Sequence, residues 1–266
     1  MTSPDQPAPP VRLAIADGVA TLTLARPEAG NAMDWALLDA FAAGAERVAA
    51  DPSVRAILIE AEGRNFSVGG DIRSFAGDAD PAAFIGRLAR RLHDGIRHLV
   101  AHPAPVIVAA QGAAAGAGLS LVASGDVVLA GAGATFTLAY PAIGLTADGG
   151  ATWLLPRVIG LRRTQELAFT GRRLNAAEAA GYGLVTRVVD DAALADEARA
   201  LAARIARGPT AAYGAIKRLL AGADRATLSD HLDAEAETIE RAMATHDAQQ
   251  GIRAFLDRRA PDFAGR

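Results

Sequence analysis

The chain has 266 residues, 51% of them hydrophobic and 21% charged, with a formal net charge of −3. This is a globular composition, with length for one large domain and a small appendage, and it lacks the basic excess of a nucleic-acid binder. With no cysteine, disulfides and thiolate chemistry are excluded, and the 5 scattered histidines give no metal-site spacing. His98 and His102 lie four apart, but no acidic residue joins them in an HExxH pattern.

Residues 1–10, MTSPDQPAPP, read as a disordered Pro-rich leader without the basic and apolar regions of a signal peptide. No later run reaches the roughly 18 apolar residues of a membrane span, so a cytoplasmic protein is expected. Val11–Ile15 and Val19–Leu24 alternate around Asp17-Gly18, the pattern of a β-hairpin. Asp34 caps a helix over Trp35–Ala50 whose apolar stripe is Leu37, Leu38, Phe41 and Val48. Val54–Ile59 is a buried strand, and 62–70 a polar, glycine-containing loop. Pro81 stands at a first helical position, and that helix runs to about Val100. Pro105–Ala110 is a strand, followed by a Gly/Ala turn, a helix over 116–123, and strands over 126–130 and 135–138.

After Gly149 the pattern turns mainly helical, with Val185–Val189 as the one late strand. Helices are expected over 192–207, 210–220 and 228–245, with a break at Gly208-Pro209. The expected layout is a leader over 1–10, an α/β core over 11–190 and a helical region over 191–266. Three helices that are amphipathic throughout often pack against another subunit.

The chemistry concentrates between Gln111 and Ala151. Gly112 to Gly118 is a glycine-rich turn running into a helix, where free backbone N–H groups can hold developing negative charge. A second loop, NFSVGGDI over 65–72, lets backbone approach a ligand at Gly69-Gly70. Taken singly, each is weak, because a glycine-rich turn is more often just a tight turn or a close helix contact. Leu121 breaks the dinucleotide pattern GxGxxG, and Val122 breaks the nucleophile-elbow pattern GxSxG. Asp148, alone among small residues in TADGG, is either a base or the N-cap of a helix beginning near Gly149. His93 sits on an amphipathic helix, where a histidine is mostly a packing or surface group.

In order and at this spacing, several stretches resemble the crotonase (enoyl-CoA hydratase/isomerase) superfamily. They are RPEAGNAM (26–33), NFSVGGDI (65–72), PVIVAAQGAAAGAGLSLVASGDVVLA (105–130) and FTLAYPAIGLTADGGATWLLPR (136–157). GRRLNAAEAAGYGLVTRVV (171–189) and AFLDRRAPDF (254–263) also fit. The resemblance covers nearly everything from residue 12 onward. It implies a crotonase-like α/β fold, a β-β-α superhelix with a helical C-terminal trimerisation region, and a homotrimer or dimer of trimers. It implies an acyl-CoA substrate, with coenzyme A as part of the thioester and no separate cofactor or metal. Carried over by position, the N–H groups of Gly70 and Ala117 would hold the thioester oxygen. Val68 and Ile72 would lie along the adenine and Ala32 near the CoA backbone, with Arg26, Arg258 and Arg259 as candidates for the CoA phosphates.

The departures are as informative. Hydratases of this family use two glutamates to activate water, and Ser120 and Tyr140 stand at those positions. Neither is a carboxylate base at neutral pH. Asp148 remains, in a turn resembling the phenylacetate-pathway ring-epoxide isomerase and enoyl-CoA isomerase branch. The chlorobenzoyl-CoA dehalogenase branch also places an Asp there, as nucleophile, with a histidine near His93. The resulting expectation is an acyl-CoA isomerase with Asp148 as base, Gly70 and Ala117 as oxyanion donors, and Ser120, Tyr140 and His93 around the acyl pocket. A hydratase, a hydrolase or dehalogenase-like enzyme, and a non-catalytic acyl-CoA binder are the alternatives.

Overall fold

The computed structural model describes residues 8–266, so residues 1–7 of the expected leader lie outside the described residues. β1 (Val11–Ala16) and β2 (Val19–Leu24) pair antiparallel across Asp17-Gly18, both of which have positive φ. The Asp34 carboxylate accepts the Leu37 N–H at 2.9 Å and so starts α1 (Trp35–Ala50). Then follow β3 (Ala56–Ala61), the short α2 (Ile72–Ala76), α3 (Pro81–Ala101), β4 (Val106–Ala110), β5 (Ala113–Ala115) and α4 (Ala117–Ala123). Next come β6 (Val127–Gly131), β7 (Thr135–Thr137), α5 (Ala151–Ile159), α6 (Leu161–Thr170), β8 (Arg173–Asn175), α7 (Ala176–Tyr182) and β9 (Arg187–Val189). The chain closes with α8 (Leu194–Ala206), α9 (Thr210–Gly222), α10 (Leu228–Met243) and α11 (His246–Leu256).

Six strands form one sheet in the order β1-β2-β3-β4-β6-β9, parallel from β2 onward. Both of its faces are covered, which is why β3 and β4 read as continuous apolar runs. Ile57, Ile59, Val106 and Val108 join the main core with Leu38 and Phe41 of α1 and Leu92 and Leu99 of α3. Ala56, Leu58, Ile107 and Ala109 meet Leu194, Ala198, Leu201 and Ala202 of α8 on the other side. The expected helical region therefore begins with a helix that is itself a layer of the core.

A second, three-stranded sheet, β5-β7-β8, runs beside the first, and Ser67 extends it by a bridge to Ala114. Each turn of the chain thus lays down a strand of the large sheet, an extended piece of the second layer, and a helix. β3, Ser67 and α3 make one such turn; β4, β5 and α4 the next; β6, β7 and α5 the next. This is the β-β-α spiral. β5 forms within the expected Gly/Ala turn, α2 was not expected, and two late elements also depart from expectation. β8 is a further late strand; it is three residues long and exists through antiparallel pairing with β7, a contact local periodicity does not carry. The helix expected over 228–245 ends at Met243, and Thr245 caps a separate helix, α11, by accepting the Ala248 N–H at 3.2 Å. Among the described residues no helix is long and apolar enough to cross a membrane.

The turns of the spiral touch backbone to backbone next to the second layer. A Cβ on Gly118 would lie 2.5 Å from the Ser67 carbonyl oxygen, and one on Gly112 would lie 2.0 Å from that of Arg64. Gly112 also has φ of 55°, a conformation costly for any side chain. Gly112→Ala is expected to destabilise the fold by roughly 2–4 kcal/mol, a fall in Tm of roughly 2–4 °C per kcal/mol. Calorimetry checks this, and an unchanged Tm would show that the contact is not tight.

Candidate active site

The 65–72 loop and the first turn of α4 meet at the mouth of one cavity of about 250 Å³. Gly70 reaches it through a parallel bridge to Met33: Met33 N–H donates to the Gly69 oxygen at 2.7 Å, and Asp71 N–H to the Met33 oxygen at 3.0 Å. In such a bridge the middle residue turns its own N–H to the opposite side. Ala117 is the first residue of α4, where an N–H has no partner inside the helix. Neither N–H meets an acceptor among the described residues.

Two buried polar side chains hold this loop. Asn31, fully buried with φ of 55°, donates through Nδ2 to the Glu62 oxygen at 2.9 Å and the Asn65 oxygen at 2.8 Å. Ser67 Oγ, also buried, donates to the Asn31 oxygen at 2.8 Å. These two residues were not singled out in the sequence, although an asparagine in RPEAGNAM is among the few residue types that accept positive φ.

The cavity wall is apolar. Met33, Leu38, Phe75, Ile85, Leu88 and Leu92 line it, with Val68 and Ile72 at an exposed edge. Among the described residues lining it, Asp148 is the one carboxylate and Tyr140 the one phenol. Tyr140 Oη donates to Asp148 Oδ1 at 2.5 Å, a short charge-assisted bond. Burial first, then the Asp148 charge, pushes the Tyr140 hydroxyl well above the usual phenol range, so it stays a donor at any working pH. Ser120, buried on α4, lies 2.9 Å from Tyr140 Oη and donates to the Asp148 carbonyl oxygen at 2.9 Å.

The cap alternative for Asp148 is overturned. α5 begins at Ala151 with Gly150 as N-cap and no side-chain cap. The Asp148 carboxylate accepts no backbone N–H among the described residues, and only its carbonyl meets α5, at the Ala151 N–H.

Other expected site residues lie elsewhere. His93 does not line this cavity; its Nε2 accepts the Gly149 N–H at 3.0 Å and its ring borders a separate hollow behind the turn. Ala32 is buried outside the cavity lining, and its carbonyl accepts a bond from Arg26. Arg26 is occupied as well, with Nη1 3.0 Å from both Asp34 Oδ2 and Asp71 Oδ2. It ties the start of α1 to the residue after Gly70, which makes it a clamp on the loop. Arg258 and Arg259 follow α11, away from the cavity, with Arg259 beside Asp257.

The model of the enoyl-CoA hydratase/isomerase family matches residues 14–266. The chain belongs to this family. It is 39% identical over 251 residues to the 1,2-epoxyphenylacetyl-CoA isomerase of Escherichia coli (strain K12), covering 94% of this chain and 96% of that one. It is 34% identical to the 2,3-dehydroadipyl-CoA hydratase of the same organism, covering 93% and 96%. A solved enoyl-CoA hydratase/isomerase family protein from Mycobacterium abscessus superposes with a TM-score of 0.93 at 37% identity, covering 96% of this chain and all of that one. Relatives named isomerase and hydratase thus match this chain alike, so membership of the family does not by itself choose between the two chemistries.

Arg26→Met leaves the Asp34 and Asp71 carboxylates facing each other without a cation. A loss of roughly 1–3 kcal/mol in urea denaturation is expected; no loss would mean the clamp adds nothing to stability.

Proposed function

We propose that this protein is an acyl-CoA isomerase that shifts a C=C bond by proton transfer through a thioester enolate. The observation that carries this reading is the single carboxylate, Asp148, in an apolar cavity that also receives two unpartnered backbone N–H groups. The N–H groups of Gly70 and Ala117 hold the thioester oxygen, most strongly when charge develops on it. Asp148 Oδ2, which takes no bond from the protein among the described residues, removes an α-proton and returns it at the γ-carbon. The electron pair of the C–H bond becomes the enolate, and the double bond reforms one position along. The same oxygen gives the proton back, so no second acid is needed.

Two features weigh against the alternatives. Hydration needs a second group to orient and activate water, and the residues at the two glutamate positions, Ser120 and Tyr140, are spent on Asp148 itself. A dehalogenase-like hydrolysis needs a histidine free to activate water, whereas His93 Nε2 is occupied by the Gly149 N–H. The lining favours an uncharged acyl group, because a second carboxylate in it would face Asp148 without a cation.

Association of copies through the helical region, as a trimer or a dimer of trimers, belongs to the same reading. It is supported by α10, which buries no residue in the single chain and leaves Leu228 76% and Ile239 72% exposed. Native mass spectrometry is expected to show copies in multiples of three; a monomer contradicts it.

The activity is tested by converting 3-hexenoyl-CoA to the 2-enoyl isomer. Asp148→Asn is expected to lower kcat by about two to four powers of ten. Ala117→Pro removes one oxyanion donor at a helix position that tolerates proline, and is expected to cost about two to three powers of ten. Wild-type rates in Asp148→Asn would end the assignment of Asp148 as base.

A further inference from the structure

Asp148 is held at more points than a turn residue needs. Three side chains from three elements reach its turn. Tyr140, on the short 3-10 turn after β7, donates to Oδ1 at 2.5 Å. Ser120, on α4, donates to its carbonyl oxygen at 2.9 Å. His93, on α3, accepts the following N–H, that of Gly149, at 3.0 Å. There is no slack in this turn. A Cβ on Gly149 would lie 2.7 Å from Ser120 Cβ and 3.2 Å from Leu92 Cδ2, so the peptide is wedged between α3 and α4.

The position of Ser120 adds a second point. It lies one helical turn after Ala117 on α4, whose backbone is rigid over that span. The Ala117 N–H and the anchor of the Asp148 turn are therefore fixed to the same short rod. Their separation is set by a helix, not by loop flexibility. Tyr140 completes the arrangement by committing Oδ1, which leaves Oδ2 as the oxygen without a partner among the described residues.

We propose that Tyr140, Ser120 and His93 are positioning residues that hold Asp148 with one oxygen committed and the other free for substrate. The two positions where a hydratase would carry acids are here used to aim a third. This inference rests on the reading of Asp148 as the base. His93 does so through Nε2, which accepts the Gly149 N–H.

Steady-state kinetics of the full chain with 3-hexenoyl-CoA test it, with Tm measured for every variant. Tyr140→Phe and Ser120→Ala are expected to lower kcat about ten- to a hundredfold at unchanged KM, the scale of misplacing a catalytic group by about 1 Å. His93→Leu is expected to do the same, and His93→Gln, whose amide oxygen can accept the Gly149 N–H, to recover most of the rate. A purely structural role would lower Tm in both His93 variants without that recovery, and so would overturn the role of His93. Wild-type kcat in Tyr140→Phe and Ser120→Ala, with Asp148→Asn inactive, overturns the positioning proposal and leaves the base in place. Activity retained in Asp148→Asn instead removes the base reading on which the proposal stands.

Discussion

Two backbone segments lie against each other with no side chain between them, and the cavity follows from that contact. The 64–70 loop rests on the segment from Gly112 to Gly118, where a single added Cβ would strike a carbonyl oxygen. Buried Asn31 and Ser67 stitch the loop down from the other side, and Arg26 clamps its far end through Asp71. The outcome is geometric: the Gly70 and Ala117 N–H groups, 47 residues apart in sequence, open into one apolar space. Backbone donors suit this work because they are set by the fold and need no reorganisation when charge forms.

The same helix that supplies one of the two unpartnered N–H groups also holds Asp148, the base in the proposed reaction. α4 presents Ala117 at its first position and Ser120 one turn later, and Ser120 grips the Asp148 carbonyl. All seven residues of α4 are buried, and the helix packs against α5 and β5. The placing of the Ala117 N–H relative to Asp148 thus depends on the packing of a seven-residue helix.

Much of the scaffold was legible along the chain. The Asp17-Gly18 hairpin, the Asp34 cap and the Pro81 start are local signals, and local signals set those elements. β8 was not legible, because Arg173-Leu174-Asn175 becomes a strand only by pairing with β7. Nor was the break between α10 and α11, which carries no Gly or Pro and depends on Thr245 turning its hydroxyl onto the next helix. At the site, the glycine loops and Asp148 stood out by composition and by family pattern. What stayed hidden was partnership: that Tyr140 bends back eight residues to reach Asp148, and that Arg26 is neutralised by two acids before any phosphate arrives. Cap and base readings of Asp148 looked alike in sequence, and the start of α5 at Ala151 removes the cap reading.

The central claim is that one carboxylate moves a proton within the substrate and that no water is activated. Mass spectrometry of the product formed in a single turnover from 2,2-dideuterated 3-hexenoyl-CoA in oxygen-18 water tests both halves together. The account predicts an isomer of unchanged mass, its migrated deuterium at the γ-carbon. A product that has gained labelled water, or has lost the migrating deuterium to solvent entirely, contradicts it.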